Sequence, residues 1–254
     1  MASGDWSSVV GGTKNTASGL QSAVLSGASN TSSGTASVVC GGGAYSSYLY
    51  AGNTASGLSS FVGSGFGNIS SSNGSVVAGG NTNTANSIYG GILAGSYGST
   101  RGIYGYHAIP AGINPLNTTG GAQGGILIVA KQTTDATATV LTCDGSAAST
   151  TNQVILPNNS AYYFKVSVIA NVTGGGNTKA WTLEGAIKRG SGVGTAAIVG
   201  TVTTNIVAAD SGASAWTVTA TADTTNGGLA ITFTGQASTT IRVVAKCETA
   251  EVTF

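Results

Sequence analysis

The chain has 254 residues, with only nine Lys or Arg, eight Asp or Glu, and 41 glycines. At 7% charged residues it lies far below the roughly 25% of ordinary soluble domains, and a net charge of +1 supplies no basic surface for nucleic acid or anionic lipid. Three prolines exclude collagen, 41% apolar residues argue against disorder, and the longest aliphatic run, residues 126–130, is too short to span a bilayer.

Residues 1–6 have neither the basic region nor the apolar stretch of a signal peptide. They read as a short docking segment or an artefactual start, and the chain as a product of a reducing cytoplasm. Cys40, Cys143 and Cys247 lie far apart without a Cys-x-x-Cys pair, so they are expected as small buried hydrophobes rather than disulfides.

Charge divides the chain. Residues 15–100 hold no Asp, Glu, Lys or Arg, and before residue 121 only Asp5, Lys14 and Arg101 are charged. The first half repeats. Apolar pairs fall at Val9-Val10, Val24-Leu25, Val38-Val39, Phe61-Val62, Val76-Val77 and Ile92-Leu93, with starts 15, 14, 23, 15 and 16 residues apart. Between them recur Asn15-Thr-Ala-Ser-Gly19, Asn30-Thr-Ser-Ser-Gly34 and Asn53-Thr-Ala-Ser-Gly57, and the long interval contains an extra tyrosine-rich stretch, residues 45–50. A short fixed period means a solenoid with one coil per repeat. Glycine costs a helix about 1 kcal/mol relative to alanine, so the coil is β, and the Asn-Thr-Ala-Ser-Gly words are expected to supply its turns.

Adjacent side chains on a strand point to opposite faces. Each pair therefore sends one member into the coil and one outward. The outward members would form an apolar stripe that a monomer rarely leaves exposed, and charge depletion is typical of interface cores. These twelve residues, with His107, are the candidates for packing a homotrimer. The alternative is a second sheet of the same chain covering the stripe.

Residues 109–125, with two of the three prolines, read as a linker between repeats at 7–108 and a second domain at 126–254. There, strand-like runs appear at 126–131, 137–142, 153–156, 162–170, 180–188, 196–207, 215–220, 229–234 and 240–247, separated by Gly, Pro and Asn turns. In the last run Arg242, Lys246 and Glu248 share one parity, interrupted by Val244. Short strands with polar turns predict an antiparallel β-sandwich or jelly roll.

Ser37-Val-Val-Cys-Gly-Gly42, Asn53-Thr-Ala-Ser-Gly57 and Ser75-Val-Val-Ala-Gly-Gly80 resemble the YadA-like head repeats of trimeric autotransporter adhesins, which also look common in bacteriophage tail fibres. Residues 100–107 look like the neck-type exit of such a head. The resemblance implies an all-β chain whose N-terminal left-handed parallel β-roll is trimeric. The second half resembles the C-terminal domains of phage tail fibre and receptor-binding proteins, through Leu156-Pro-Asn-Asn-Ser-Ala-Tyr162, residues 184–189 and 221–227, and Ile241-Arg-Val-Val-Ala245.

Catalysis finds little support in the residues. His107 is the only histidine, no Gly-x-Ser-x-Gly elbow precedes a helix, and one histidine with three scattered cysteines does not make a zinc site. Glu248 and Glu251 differ in strand parity, against a glycosidase pair. The chain is short for a right-handed β-helix depolymerase. It is therefore expected not to be an enzyme and to need no cofactor or metal. Among aromatic residues, Trp181 and Trp216 read as core, and Tyr104 and Tyr106 sit at the roll exit. Tyr45, Tyr48 and Tyr50, with Asn171, Asn177 and Lys179 around a polar turn, are the receptor-binding candidates. The sequence points to a homotrimeric tail fibre or receptor-binding protein of a virion, made without a signal peptide. It would join other tail proteins and bind a bacterial surface glycan or protein by avidity, with no nucleic acid and no membrane insertion. The rival readings are a purely structural tail- or capsid-attached fibre, an adhesin fragment and an ice-binding solenoid.

Overall fold

The computed structural model describes residues 1–43, 51–113, 115–116 and 118–254. The chain forms two compact units, Met1–Gly124 and Gly125–Phe254. The tyrosines at 45, 48 and 50 lie outside the described residues.

The first unit is a β-solenoid of about six turns. Its strands are two residues long: β1 (Ser8–Val9), β2 (Thr16–Ala17), β3 (Ala23–Val24), β4 (Thr31–Ser32), β5 (Val38–Val39), β6 (Thr54–Ala55), β7 (Phe61–Val62), β8 (Ile69–Ser70), β9 (Val76–Val77), β10 (Thr84–Ala85) and β11 (Gly91–Ile92), followed by β12 (His107–Pro110). Odd-numbered strands stack in parallel on one side, with β12 as the last rung beside β11. Even-numbered strands from β2 to β10 stack in parallel on the other.

The registers correct the pairing read from sequence. Val9, Val24, Val39, Val62, Val77, Ile92 and Ala108 are the stacked inward residues, so the third, fourth and fifth pairs each shift by one, to Val39-Cys40, Val62-Gly63 and Val77-Ala78. Both ladders cross the long interval in register, Val39 to Val62 and Thr31 to Thr54. The interior is narrow. Val24, Val39, Val62 and Val77 are fully buried from one side, and Ala17, Ser32, Ala55, Ser70 and Ala85 from the other.

The recurring asparagines do not form the turns assigned to them. Asn15, Asn30, Asn53, Asn68 and Asn83 are buried, and each bonds to the next coil. The Asn53 side-chain oxygen accepts the Asn68 backbone N–H at 3.0 Å, and its Nδ2 donates to the carbonyls of Gly41 at 2.9 Å and Gly65 at 2.8 Å. The same pattern runs from Asn15 through Asn83. Each amide is satisfied by one carbonyl of its own coil and by two groups of the next, where an unpaired one would cost about 1–3 kcal/mol. The turn itself falls to glycine: Gly65 has φ +90°, and a Cβ there would lie 2.0 Å from the Gly80 carbonyl oxygen.

The strand β13 (Ala122–Thr133) carries the chain into the second unit, followed by β14 (Thr139–Val140), β15 (Val154–Ile155), β16 (Ser160–Val172), β17 (Thr178–Arg189), β18 (Ala197–Ala209), β19 (Thr217–Asp223), β20 (Gly228–Thr234) and β21 (Ile241–Thr253). Every strand-like run of the sequence finds a strand here. Their arrangement departs from the expected sandwich or jelly roll. One large sheet has the order β13-β21-β16-β17-β18, and a small one centres on β20, with β14 and β15 along one edge and β19 along the other. The antiparallel hairpin β16–β17 and the β16–β21 pair run in continuous register over a dozen residues.

Alternation fixes which face is covered. In β16, Tyr162, Phe164, Val166, Val168 and Ala170 are buried while Ala161, Tyr163, Lys165, Ser167 and Ile169 point out. The small sheet meets the buried face around Phe233, against which Trp181 and Trp216 pack edge-on at 6.2 and 6.3 Å between centroids. Each such buried apolar side chain contributes about 1.5–3 kcal/mol. The edge strand β18 is exposed along nearly its whole length.

Candidate functional site

The solenoid has two chemically different sides. On the odd-strand side, each inward valine is flanked by an outward residue before and after it. The preceding column is Ser8, Ala23, Val38, Phe61, Val76, Gly91 and His107. The following column is Val10, Leu25, Cys40, Gly63 and Ala78, whose N–H groups donate to the inward residue of the next coil at 2.9–3.0 Å, and then Leu93. Val10 is 73% exposed, Leu25 43% and Leu93 79%. The even-strand side carries Thr16, Thr31, Thr54, Ile69 and Thr84 in one column, and Ser18, Ser33, Ser56, Ser71 and Asn86 two residues on. One side is apolar, the other a bed of hydroxyls, and neither carries charge.

The trimer-packing candidates therefore separate. Val24, Val39, Val62, Val77 and Ile92 fill the coil, and Val9 stands at the same inward position in the first coil. Val10, Leu25, Val38, Phe61, Val76, Leu93 and His107 lie on the outward columns. His107 is exposed at the end of its column, beside Gly91, where a Cβ would meet its Nδ1 at 2.8 Å.

The receptor-binding candidates of the second unit are not brought together as a site. Lys179 is only 3% exposed, which corrects its reading as a tip residue. Its position on β17 shares the inward parity of Trp181 and Leu183. Its Nζ donates to the carbonyls of Ser214 at 3.0 Å and Trp216 at 2.8 Å and lies 5.3 Å from the Trp181 ring centroid. Asn171 holds its own hairpin, donating to Thr178 Oγ1 at 2.5 Å and to the Gly176 carbonyl at 3.2 Å. Asn177 is exposed and lies against Gly212.

Four of the acidic residues are individually engaged. Burial raises the Asp223 carboxyl, but bonds from Gln153, Asn226 and Thr225 outweigh it and hold the group below the usual carboxylate range. Asp144 is likewise held low: its slight burial acts upward, and Ser146 and Asn152 outweigh it. Glu184 accepts from Tyr163 Oη at 2.7 Å, which raises the phenol, and Glu248 pairs with Lys246 at 3.0 Å. Among the described residues no three His, Cys, Asp or Glu gather to hold a metal, and no helix is long and apolar enough to cross a membrane.

A feature not read from sequence lies beside β13 and β21 of the large sheet. Where the 142–145 segment runs beside β13, a hollow of about 490 Å³ opens. Lys131, Gln132, Thr142, Gly145 and Arg242 line it, over a floor that includes Ala130 and Val244. Arg242 Nε donates to Gln132 Oε1 at 2.9 Å, and Lys131 Nζ donates to the Gly145 carbonyl. The two cations come from strands more than a hundred residues apart, which is why sequence spacing did not expose the pair.

No family model and no curated protein matches the chain. Among solved structures it is similar to a tailspike protein, gp49, of Acinetobacter baumannii bacteriophage Fri1, a capsular polysaccharide depolymerase (TM-score 0.31, 13% identity, 89% of this chain and 39% of that one). It is also similar to the tailspike protein of Acinetobacter baumannii phage AM24 (TM-score 0.24, 9% identity, 94% of this chain and 50% of that one). The chain thus spans half or less of either tailspike. These structures are phage tailspikes rather than adhesin heads, and the head-repeat likeness stays a resemblance of short words. They also correct the expectation that the chain is not an enzyme. One of the tailspikes is a capsular polysaccharide depolymerase.

Proposed function

We propose that three copies of this chain assemble through their odd-strand sides into a bacteriophage tail fibre, alongside other tail proteins, and that the second units hold a bacterial surface glycan. The observation that carries this reading is the two-sidedness of the solenoid. Within one chain the even-strand ladder closes the coil but leaves Val10, Leu25, Val76 and Leu93 exposed. Among the described residues of the first unit no second sheet lies over them. An uncharged apolar side opposite a hydroxyl side orients each coil in an assembly, with valine and leucine toward the partners and threonine and serine toward water. Three weak sites on one stiff trimer then gain affinity by effective concentration alone.

The test is solution mass by light scattering, followed by cell binding. The intact protein is expected at three times 24.6 kDa and to decorate host cells. The Leu25→Lys, Leu93→Lys variant is expected as a monomer that binds far more weakly. A native monomer would remove the fibre assembly. A trimer that decorates no cell would leave a structural fibre, and size analysis of the polysaccharide after incubation separates holding it from cutting it.

A further inference from the structure

We infer that the hollow beside β13 is a binding site for the carboxylate of an acidic sugar, a hexuronate residue within a bacterial polysaccharide. This deepens the glycan-binding reading and rests on it. Two cationic side chains, Lys131 and Arg242, line one hollow, and among the described residues neither has a carboxylate partner. On the outward face of the large sheet cations and acids alternate: Lys165 lies across from Glu184 on one side and Glu248 on the other, and Lys246 pairs with Glu248 at 3.0 Å. The one acid next to the hollow in sequence, Asp144, accepts from Ser146 and Asn152 at 2.8–3.0 Å and is held ionised. Two cations against this one carboxylate leave the hollow a net positive charge.

The cations are also held in place. Gln132 fixes Arg242 through Nε, which leaves the two terminal nitrogens of the guanidinium to form a fork for a planar carboxylate. Lys131 is tied to the Gly145 carbonyl and retains two further donors. The backbone around Gly145 supplies carbonyl groups at the rim, while the buried Thr142 hydroxyl is engaged by the Ser146 carbonyl at 3.0 Å. Val244 supplies an apolar surface for the C–H face of a sugar ring. Charge, fork and apolar floor together match a hexuronate better than a neutral sugar.

The experiment uses the full-length protein, two probes and two variants. The probes are tetragalacturonate and its carboxyl-reduced counterpart, followed by titration calorimetry and by amide shifts of labelled protein. Tetragalacturonate is expected to bind and to move the signals of Gln132, Thr142 and Gly145, with the reduced tetrasaccharide at least about tenfold weaker. Lys131→Gln, Arg242→Gln should abolish that preference with the oligomeric mass unchanged, since both side chains lie at the surface. Arg242→Lys, which keeps the charge and loses the fork, should fall between. Equal binding of both probes, or acid binding that survives the double variant, overturns this site while leaving a glycan-binding fibre standing. Binding of host cells that survives the double variant points the same way. Loss of all cell and glycan binding by the unaltered protein overturns the broader reading instead.

Discussion

Ser70 and Ser75 share a hydrogen bond of 2.7 Å inside the solenoid, and Ser32 and Ser37 share its equivalent, also 2.7 Å, two coils earlier. The bond joins the inward residue of an even-numbered strand to the serine five positions on, where the chain turns back toward the odd ladder. In two coils where that inward residue is alanine, the partner serine is stranded. Ser22 follows Ala17 and Ser60 follows Ala55, and the hydroxyl oxygens of both are buried without a hydrogen bond among the described residues.

Two substitutions should therefore stabilise the protein. Ala55→Ser and Ala17→Ser each add one oxygen at a position where Ser32 and Ser70 already show that it fits. Each satisfies a buried hydroxyl, worth about 1 kcal/mol. Thermal unfolding of the single and double variants measures this, and the effects should add because two coils separate the sites. A lower melting temperature in both singles would mean that the narrow interior cannot take the extra atom.

The inward valines were legible in the sequence because a strand has a period of two and the coil a period near fifteen. Their register was not, because Val38-Val39-Cys40 offers two apolar pairs and only the hydrogen-bonded neighbours choose between them. The asparagines were visible as repeated words, but their role was hidden. Asn53 bonds to Asn68, a coil away, and a local reading assigns asparagine to a turn. Its recurrence at the coil period was the available signal. Lys179 shows the opposite error. A lysine beside a glycine-rich turn reads as solvated, whereas its parity with Trp181 and Leu183 already placed it inward. The pairing of Lys131 with Arg242 had no sequence signal, since it depends on β13 and β21 becoming neighbours in the sheet.

Acid should weaken the second unit at Asp223. Its carboxyl is held below the usual range in the folded state, so the unfolded chain binds more protons as pH falls through that interval. The stabilisation is complete above the unfolded pKa of about 4 and is lost as pH drops through the lower folded value. Asp223→Asn should flatten the dependence of stability on pH below about pH 4, while lowering stability at neutral pH through lost bonds to Gln153 and the backbone of Thr225 and Asn226. Denaturant midpoints for both proteins between pH 2.5 and 7 make the comparison. An unchanged acid slope would assign the effect to other carboxylates, Asp144 first.

The three cysteines test the proposed assembly from three environments. Burial pushes the Cys247 thiol up to about 12 and removes it from solvent. Burial, with the charge of Asp144, pushes Cys143 up to about 11. At pH 8 so little of either is thiolate that both should react at least roughly a hundredfold slower than an ordinary cysteine, Cys247 the slower of the two. Cys40 is half-buried on the outward apolar column, in line with Leu25 and Leu93. In the Leu25→Lys, Leu93→Lys protein it should be the first thiol modified by a maleimide. In the native assembly the partner chains should cover it and slow that reaction sharply, while Cys143 keeps its rate and Cys247 waits for denaturant. Peptide mapping after timed labelling reads all three at once. Equal Cys40 rates in both proteins would take the odd-strand side out of the interface, because a residue in the middle of that column cannot stay open when its neighbours are packed.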